Sequence, residues 1–458
     1  MKSFTKLSIV QRLLSLSLFL FAFISCQKET KQLPSKEEIA TANNNNGHGH
    51  LQQTKTFSSD VVITWINTQL QMVKLPLPAG TAGQATDRCQ AYCGIALYES
   101  VVPGMPAYQS LSGQLTDFPA MPPTEPGKAY HWGASANAAL AEMNRRLFPA
   151  TADANKTAMT DLENSWQSSF ATETDAATLQ RSIAFGKEVA TRVFNWAAAD
   201  GSANVNPPYV PPAGPGLWVP TSPTPPVGPY AYQRRKMVPG VASGTELDPP
   251  PAFSTTPGSP FWNMVKELHN ASLTLTNDQK DLADYYKDNP GYSPGGTYIA
   301  VFSQALSLTK PTLDKAAMAY VKVGLAHHDA TIILLTNKYV FNLIRPVTYI
   351  RNYIDPNWST YIPTPNHPEF PSGHSTTGGA VLAMMSDIFG EDFHITLHTY
   401  DYLNYPPRSY TSFTQMLKDI SDSRFYGGLH YRATLDKSEV QGRKITQNIL
   451  ATVKFLKS

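Results

Sequence analysis

Three short clusters of cationic and imidazole side chains fall between positions 338 and 430. In the first, Lys338 and Arg345 are seven residues apart, about two turns of helix, so both project from one face beside Val340, Phe341 and Ile344. Pro346 is expected to end that helix at Arg345. Two neighbouring cations repel unless an anion lies between them. In the second, Pro371-Ser372-Gly373-His374 opens a helix rich in alanine and methionine that runs to Phe389. Ser372 is placed as its cap, and Gly373 lets a bound group come close to the backbone N–H. A helix N-terminus attracts anions, and His374 sits in its first turn. In the third, Ser423-Arg424 precedes Gly427-Gly428 and His430. The glycine pair breaks a helix, so Arg424 at one helix end and His430 at the next start can converge. Singly, each cluster also reads as ordinary structure: a solvated basic face, a cap, a turn. Together, three cations suit a multiply charged oxyanion, arginine forks match its geometry, and two imidazoles move protons near neutral pH.

The order and spacing of these clusters are Lys-x6-Arg-Pro, Pro-Ser-Gly-His and Ser-Arg-x5-His. They resemble the signature of the vanadium-dependent haloperoxidase and type 2 phosphatidic acid phosphatase superfamily, in its haloperoxidase-like branch. The motifs anchor residues 338–430, the helical pattern extends the resemblance over roughly 265–458, and His327-His328-Asp329-Ala330 looks like the family's lead-in helix. The resemblance implies that Lys338, Arg345 and Arg424 neutralise the equatorial oxygens of a bound vanadate or phosphate. It implies that Ser372 and the Gly373 N–H donate hydrogen bonds to that ion, and that His374 is the acid–base residue. His430 becomes the apical ligand of vanadium, or a nucleophile that carries phosphate. In the haloperoxidase reading, hydrogen peroxide oxidises halide at a vanadate cofactor of constant redox state. Lys338 polarises the peroxide and His374 shuttles the proton. In the phosphatase alternative, His430 attacks a phosphomonoester and His374 protonates the leaving group. A third reading keeps the pocket without turnover, as an anion-binding surface lipoprotein.

Two positions qualify the resemblance. The family usually has an aspartate four residues after the last histidine, where it orients the imidazole. Here that position is Thr434, and Asp436 is rotated about 200° from it on a helix. A weaker hold on His430 is therefore expected, which harms covalent attack most and ligation too. His367, seven residues before His374, stands where the family tends to have phenylalanine in chloride-oxidising members and histidine in bromide-oxidising ones. This favours bromide or iodide over chloride, although His367 also reads as a residue that merely packs in a proline-rich loop.

The elements that must position these groups are helices. Helical spacing marks a segment starting at Asp60 and running towards Leu75, then 86–100, 129–147, 152–170 and 176–199. It resumes over 276–287, 297–308, 313–344, 374–389, 411–425 and 431–456. Alternating strand patterns are nearly absent, so the fold class is all-α: a helical bundle of the haloperoxidase and acid phosphatase type with extra N-terminal helices. Residues 203–262 hold 16 of the 37 prolines and cannot be helical. Trp218, Tyr230, Tyr232, Phe253, Phe261 and Trp262 lie there, and aromatics are depleted in disordered linkers, so an ordered strap is expected. The resulting division is 56–202 as an N-terminal helical region, 203–262 as the strap and 263–458 as the catalytic core, with both helical halves packed as one unit.

The 458 residues carry 37 Lys+Arg against 35 Asp+Glu, a balance that gives no reason to expect nucleic acid as a partner. The expected partners are small molecules: hydrogen peroxide, halide or a phosphoester. Three cysteines form no disulfide framework, and no Cys/His spacing reads as zinc. Cys89 and Cys93 are expected in the core. Residues 1–26 read as an export signal, with Lys2, Lys6 and Arg12 ahead of a short apolar run from Leu13 to Ile24. As a helix that run spans about 18 Å against about 30 Å of hydrocarbon. Ser25-Cys26 resembles a bacterial lipoprotein cleavage site. An exported lipoprotein anchored through lipidated Cys26, facing the periplasm or the cell surface, is therefore expected, with 27–55 as a flexible tether.

Overall fold

Apolar and small residues at helical spacing fold into 13 α-helices among the residues described by the computed structural model, 52–457. The signal segment, Cys26 and the tether up to residue 51 lie outside the described residues. Residues 52–55, assigned above to the tether, are instead docked: Thr54 is buried and donates to the Val101 carbonyl at 2.8 Å. The N-terminal half contains α1 (Asp60–Met72), α2 (Thr86–Val101), α3 (Trp132–Leu147), α4 (Asp153–Phe170) and α5 (Ala176–Ala198). Then follow α6 (Pro260–Ser272), α7 (Asn277–Tyr285), α8 (Gly296–Thr309), α9 (Leu313–Phe341) and α10 (Pro346–Tyr353). The last three are α11 (Gly373–Phe389), α12 (Phe413–Tyr426) and α13 (Arg432–Thr452). The described strands form two small antiparallel pairs, 74–75 with 291–292 and 395–397 with 408–410. The all-α class expected from the sequence holds.

Helix α9 is the axis of the molecule. It is apolar around nearly its whole circumference, as a helix buried on all sides must be. It packs on α2 at one side and α11 at the other. Small residues allow this: a Cβ on Gly324 would stand 2.7 Å from the Ala91 Cα. One continuous core joins Val62, Trp65 and Leu97 of the first half to Tyr320, Val381 and Ile445 of the second. A second cluster, including Phe261, Ile344, Tyr349, Phe370 and Tyr431, lies around the loops that carry the cationic clusters. Cys89 and Cys93 are buried free thiols within the main core.

The proline-rich segment crosses this body as an ordered strap. Trp218 is buried and its backbone N–H donates to the Asn342 carbonyl at 2.8 Å. The N–H groups of Met237 and Val238 donate to the two oxygens of Asp329, on α9, at 2.7 and 2.9 Å. The strap is shorter than read from the sequence, because Ser259 caps α6 and Pro260 takes its first position. Proline suits that position, where no N–H is needed. The same effect corrects the reading of Pro346. It starts α10, with Arg345 as the N-cap, while α9 ends at Phe341 through Asn342 in the left-handed conformation. Lys338 and Arg345 are therefore not on one helix, and Val340 is exposed rather than packed beside them. At α1, Ser59 holds the N-cap position and Asp60 is the first helical residue; the helix stops at Met72, short of Leu75. Among the described residues no helix is long and apolar enough to cross a membrane.

The approach of α11 to α13 sets the distance between the His374 and His430 segments. A Cβ on Gly379 would lie 2.7 Å from the Glu439 carbonyl oxygen, and one on Gly442 would collide with that of Thr376. Gly442→Ala should therefore push the two helices apart and lower stability by about 1–3 kcal/mol, the usual cost of overpacking. A urea titration measures this through the unfolding midpoint, and an unchanged midpoint would show that the helix pair yields without strain.

Candidate active site

Each cationic cluster reaches the same place by a different backbone route. Lys338 lies in the last turns of α9 and is fully buried. Its ammonium donates to the carbonyls of Pro368 at 3.0 Å and Glu369 at 3.2 Å, and also to that of Pro371. These bonds fix the loop ahead of α11 to the end of α9. Arg345, also fully buried, donates from Nε to the His367 carbonyl at 2.8 Å, from Nη1 to the Leu429 carbonyl at 3.1 Å, and from Nη2 to His367 Nδ1 at 2.9 Å. It ties the loop before α11 to the turn before α13. Arg424, in the last turn of α12, donates from Nη1 to the Tyr286 carbonyl at 2.7 Å, while its buried Nε has no partner.

The Pro-Ser-Gly-His segment forms the helix start that was expected. Ser372 is the N-cap of α11, its hydroxyl oxygen accepting the Ser375 N–H at 3.3 Å. Its own N–H donates to Ser438 Oγ on α13 at 2.9 Å. The N–H groups of Gly373 and His374 open the helix and have no acceptor within it. His374 Nε2 lies 3.4 Å from Asp288 Oδ1. Asp288 sits between α7 and α8 with a positive φ of 62°.

His430 precedes α13 and is nearly buried. Its Nδ1 is 3.0 Å from Glu369 Oε1, and Glu369 is itself fully buried. Glu369 also accepts the Tyr431 N–H at 3.2 Å and the Thr434 hydroxyl at 3.0 Å. The loose His430 expected from Thr434 is thus not what the structure has. A carboxylate reaches the imidazole from another part of the chain, and Thr434 serves it as a donor. Asp436 is exposed and takes no part.

These groups border one cavity of about 420 Å³. Lys338, His367, Gly373, His374, Arg424 and His430 form part of its wall; Arg345 and Ser372 stand behind that wall. Val227, Leu334, Leu335 and Ile420 give it apolar sides. Asp87, Arg234 and His327 line it as well. Arg234 donates to Asp87 at 2.8 Å, and His327 Nδ1 is 2.6 Å from Gln90 Oε1. The sequence reading missed Asp288, Glu369 and this last group. Glu369 did carry a signal, being an acid inside the apolar Pro368–Pro371 stretch just ahead of the motif.

Burial of so much positive charge shapes the titration of every neighbour. Burial first, then Arg345, holds the Lys338 ammonium well below its ordinary value. Arg345 is pushed down to about 10, by burial and by Arg424. His430 is held well below the usual imidazole value by burial and the three cations, and His367 by burial, Lys338 and Arg345. His374 is lowered by burial and Arg424. Burial alone would raise Asp288, but His374 and Arg424 outweigh it and hold it low. Glu369 is pushed up to about 7 by burial, against the opposing pull of Arg345 and Lys338. The site therefore presents neutral imidazoles and fixed N–H donors to whatever anion enters. An unpartnered arginine nitrogen and a glycine whose Cβ position is open, with Leu334 the nearest side chain at 3.9 Å, leave room for a tetrahedral oxyanion. Among the described residues no group of three His, Cys, Asp or Glu is placed to hold a metal cation. The donor set thus fits an anion bonded to one imidazole.

Comparison with known proteins places the fold among vanadium-dependent haloperoxidases. The family model of the VCPO second helical-bundle domain matches residues 318–457. The structure described as the first bacterial vanadium-dependent iodoperoxidase is 27% identical, with a TM-score of 0.77, and the match covers 88% of this chain and 98% of that one. Apo- and holo-type structures of a bacterial vanadium-dependent chloroperoxidase share the fold. The apo-type is 18% identical, with a TM-score of 0.61 over 81% of this chain and 94% of that one. The holo-type is 16% identical, with a TM-score of 0.60 over 91% and 94%. No curated protein matches the chain significantly.

The free Nε of Arg424 gives a direct test of oxyanion binding. Arg424→Gln removes the charge but keeps a polar side chain, and should weaken binding of inorganic phosphate or orthovanadate about tenfold to a hundredfold. Isothermal titration measures the change, and equal affinity in both proteins would place the anion elsewhere.

Proposed function

The chain belongs to the vanadium-dependent haloperoxidase and type 2 phosphatidic acid phosphatase superfamily, and on that premise we propose that it is a haloperoxidase that uses hydrogen peroxide to oxidise halide at a vanadate held by His430. One observation carries the reading. Two buried cations, Lys338 and Arg424, and the neutral imidazole of His430 line one small cavity at a helix N-terminus, with a third buried cation, Arg345, directly behind its wall. The likeness to a vanadium-dependent iodoperoxidase along almost all of that protein supports vanadate as the ion.

Lys338 and Arg424 in the wall, with Arg345 behind it, would balance the charge of a bound oxyanion, and the Gly373 N–H would donate to it, with Ser372, also behind the wall, as the further donor that the resemblance implies. With Nδ1 engaged by Glu369, His430 would hold the ion through Nε2. Bound vanadate supplies Lewis-acid activation of peroxide without changing its own oxidation state. The overall reaction consumes peroxide, halide and one proton and yields hypohalous acid and water; halide loses two electrons and the peroxide O–O bond is reduced. His374, neutral and backed by Asp288, takes the peroxide proton and returns it to the leaving oxygen. The apolar side walls keep bulk water from the reacting oxygens.

Halide choice falls to His367. Its ring enters the cavity wall with Nδ1 accepting from Arg345, which leaves a polar, neutral surface beside the anion site. Bromide and iodide are the proposed substrates, ahead of chloride. The proposed location is outside the cytoplasm, on a membrane, through lipidated Cys26.

Vanadate-loaded protein given peroxide should convert iodide to triiodide and brominate a phenolic dye, with chloride the poorest substrate. His374→Ala should lower kcat by about 10²–10⁴. Vanadate-inhibited hydrolysis of p-nitrophenyl phosphate without halide oxidation would make the protein a phosphatase. Inactivity in both assays, with phosphate still bound, would leave it a non-catalytic anion binder. Cys26→Ser should move the exported protein from the membrane to the soluble fraction; unchanged fractionation on an immunoblot would remove the anchor.

A further inference from the structure

In this chain the carboxylate that faces His430 comes from a loop 61 residues earlier rather than from the helix that follows the histidine. Glu369 precedes the Ser372 cap by three residues, in the loop clamped by Lys338. Its side chain is wholly buried, and both oxygens are directed at the start of α13. Oε1 meets His430 Nδ1 at 3.0 Å and the Tyr431 N–H at 3.2 Å, and Oε2 accepts the Thr434 hydroxyl at 3.0 Å. Its backbone is equally fixed, since the N–H donates to the Leu343 carbonyl at 3.0 Å and the carbonyl accepts from Lys338 at 3.2 Å. Position 434, one helical turn beyond His430, holds a hydroxyl that serves the same carboxylate.

We propose that Glu369 is the positioning residue of His430, delivering from the loop before α11 the carboxylate that a helix residue at 434 would otherwise supply. A carboxylate at Nδ1 only accepts. It therefore selects the tautomer with the proton on Nδ1, and the Nε2 lone pair is left for the oxyanion's central atom. Thr434 and the Tyr431 N–H hold the carboxylate in that orientation. The inference rests on the reading of His430 as the vanadate ligand.

Glu369→Gln keeps shape and size but sets an amide NH₂ or a shared carbonyl against Nδ1. The NH₂ favours the opposite tautomer, with a proton on Nε2 and no lone pair for the ligand. Vanadate affinity, read by ⁵¹V NMR and titration without peroxide or halide, should fall about 10- to 100-fold. Inorganic phosphate is held by the cations and the N–H donors with no bond to His430, and its affinity should stay within about threefold of the parent's or tighten, because a negative charge has gone. Glu369→Gln combined with Thr434→Asp returns a carboxylate from the helix and should recover vanadate affinity to within about threefold of the parent. If the Gln variant does not fold, Glu369→Asp keeps the charge, withdraws it from Nδ1, and should show the same selective loss. Equal vanadate affinity in variant and parent overturns the proposal, as does a parallel loss of both anions or a double variant that fails to recover. A parent that binds no vanadate sinks the cofactor reading instead.

Discussion

The structure depends on burying three cations in one place. Moving an ammonium or guanidinium out of water costs several kcal/mol even after relaxation. Lys338, Arg345 and Arg424 each carry that cost while repelling one another; burial first, then Arg424, pushes the Arg345 guanidinium down to about 10. They are held by carbonyl oxygens of loops rather than by salt bridges of their own. Pro368, Glu369, Pro371, His367, Leu429 and Tyr286 all turn carbonyls towards them. A field fixed this way needs no reorganisation when an anion arrives, which is where most electrostatic catalysis originates.

That requirement explains the division of labour in the fold. The helices supply anchor points at their ends: Lys338 late in α9, Arg345 at the cap of α10, Ser372 at the cap of α11, Arg424 at the end of α12 and His430 just ahead of α13. The irregular loops between them supply the carbonyls, because helix interiors have none to spare. Proline is useful here, since it presents a carbonyl while carrying no N–H that must be satisfied. The strap is held to the same axis. Asp329, two and a half turns before Lys338 on α9, accepts two strap N–H groups and keeps that side of the helix covered.

Much of this was legible in the residues, and the limits of that reading have physical causes. Long alanine-rich segments gave helices within a few residues of their true ends because their period is strong. The short helices α6 and α10 were missed because a proline at the first position looks like a break when it stands in a proline-rich or basic stretch. The cationic and imidazole groups could be named because their spacing is local to each motif. Glu369 and Asp288 could not, since they act on partners 61 positions along the chain, in one case, and across a loop with a left-handed residue, in the other. Only the folded chain brings those pairs together. The absence of an aspartate at 434 was read correctly as a vacancy in the helix and wrongly as a vacancy at the imidazole.

One buried carboxylate and one partly exposed show how one positive field is used in two ways. Asp288 is held below its ordinary value by His374 and Arg424, against burial, and so stays ionised behind the His374 imidazole. Glu369, deeper and wholly enclosed, is pushed up to about 7 despite Arg345 and Lys338. Set against Lys338, Arg345 and Arg424, the two acids leave one unmatched positive charge when Glu369 is ionised and two when it is protonated. A singly or doubly charged oxyanion would close that balance, and the cavity wall that includes Gly373, Arg424 and His430 is where the proposed ion would meet it. In the proposed function, the charge that is expensive to bury in the free protein is therefore the same charge that would select the ligand.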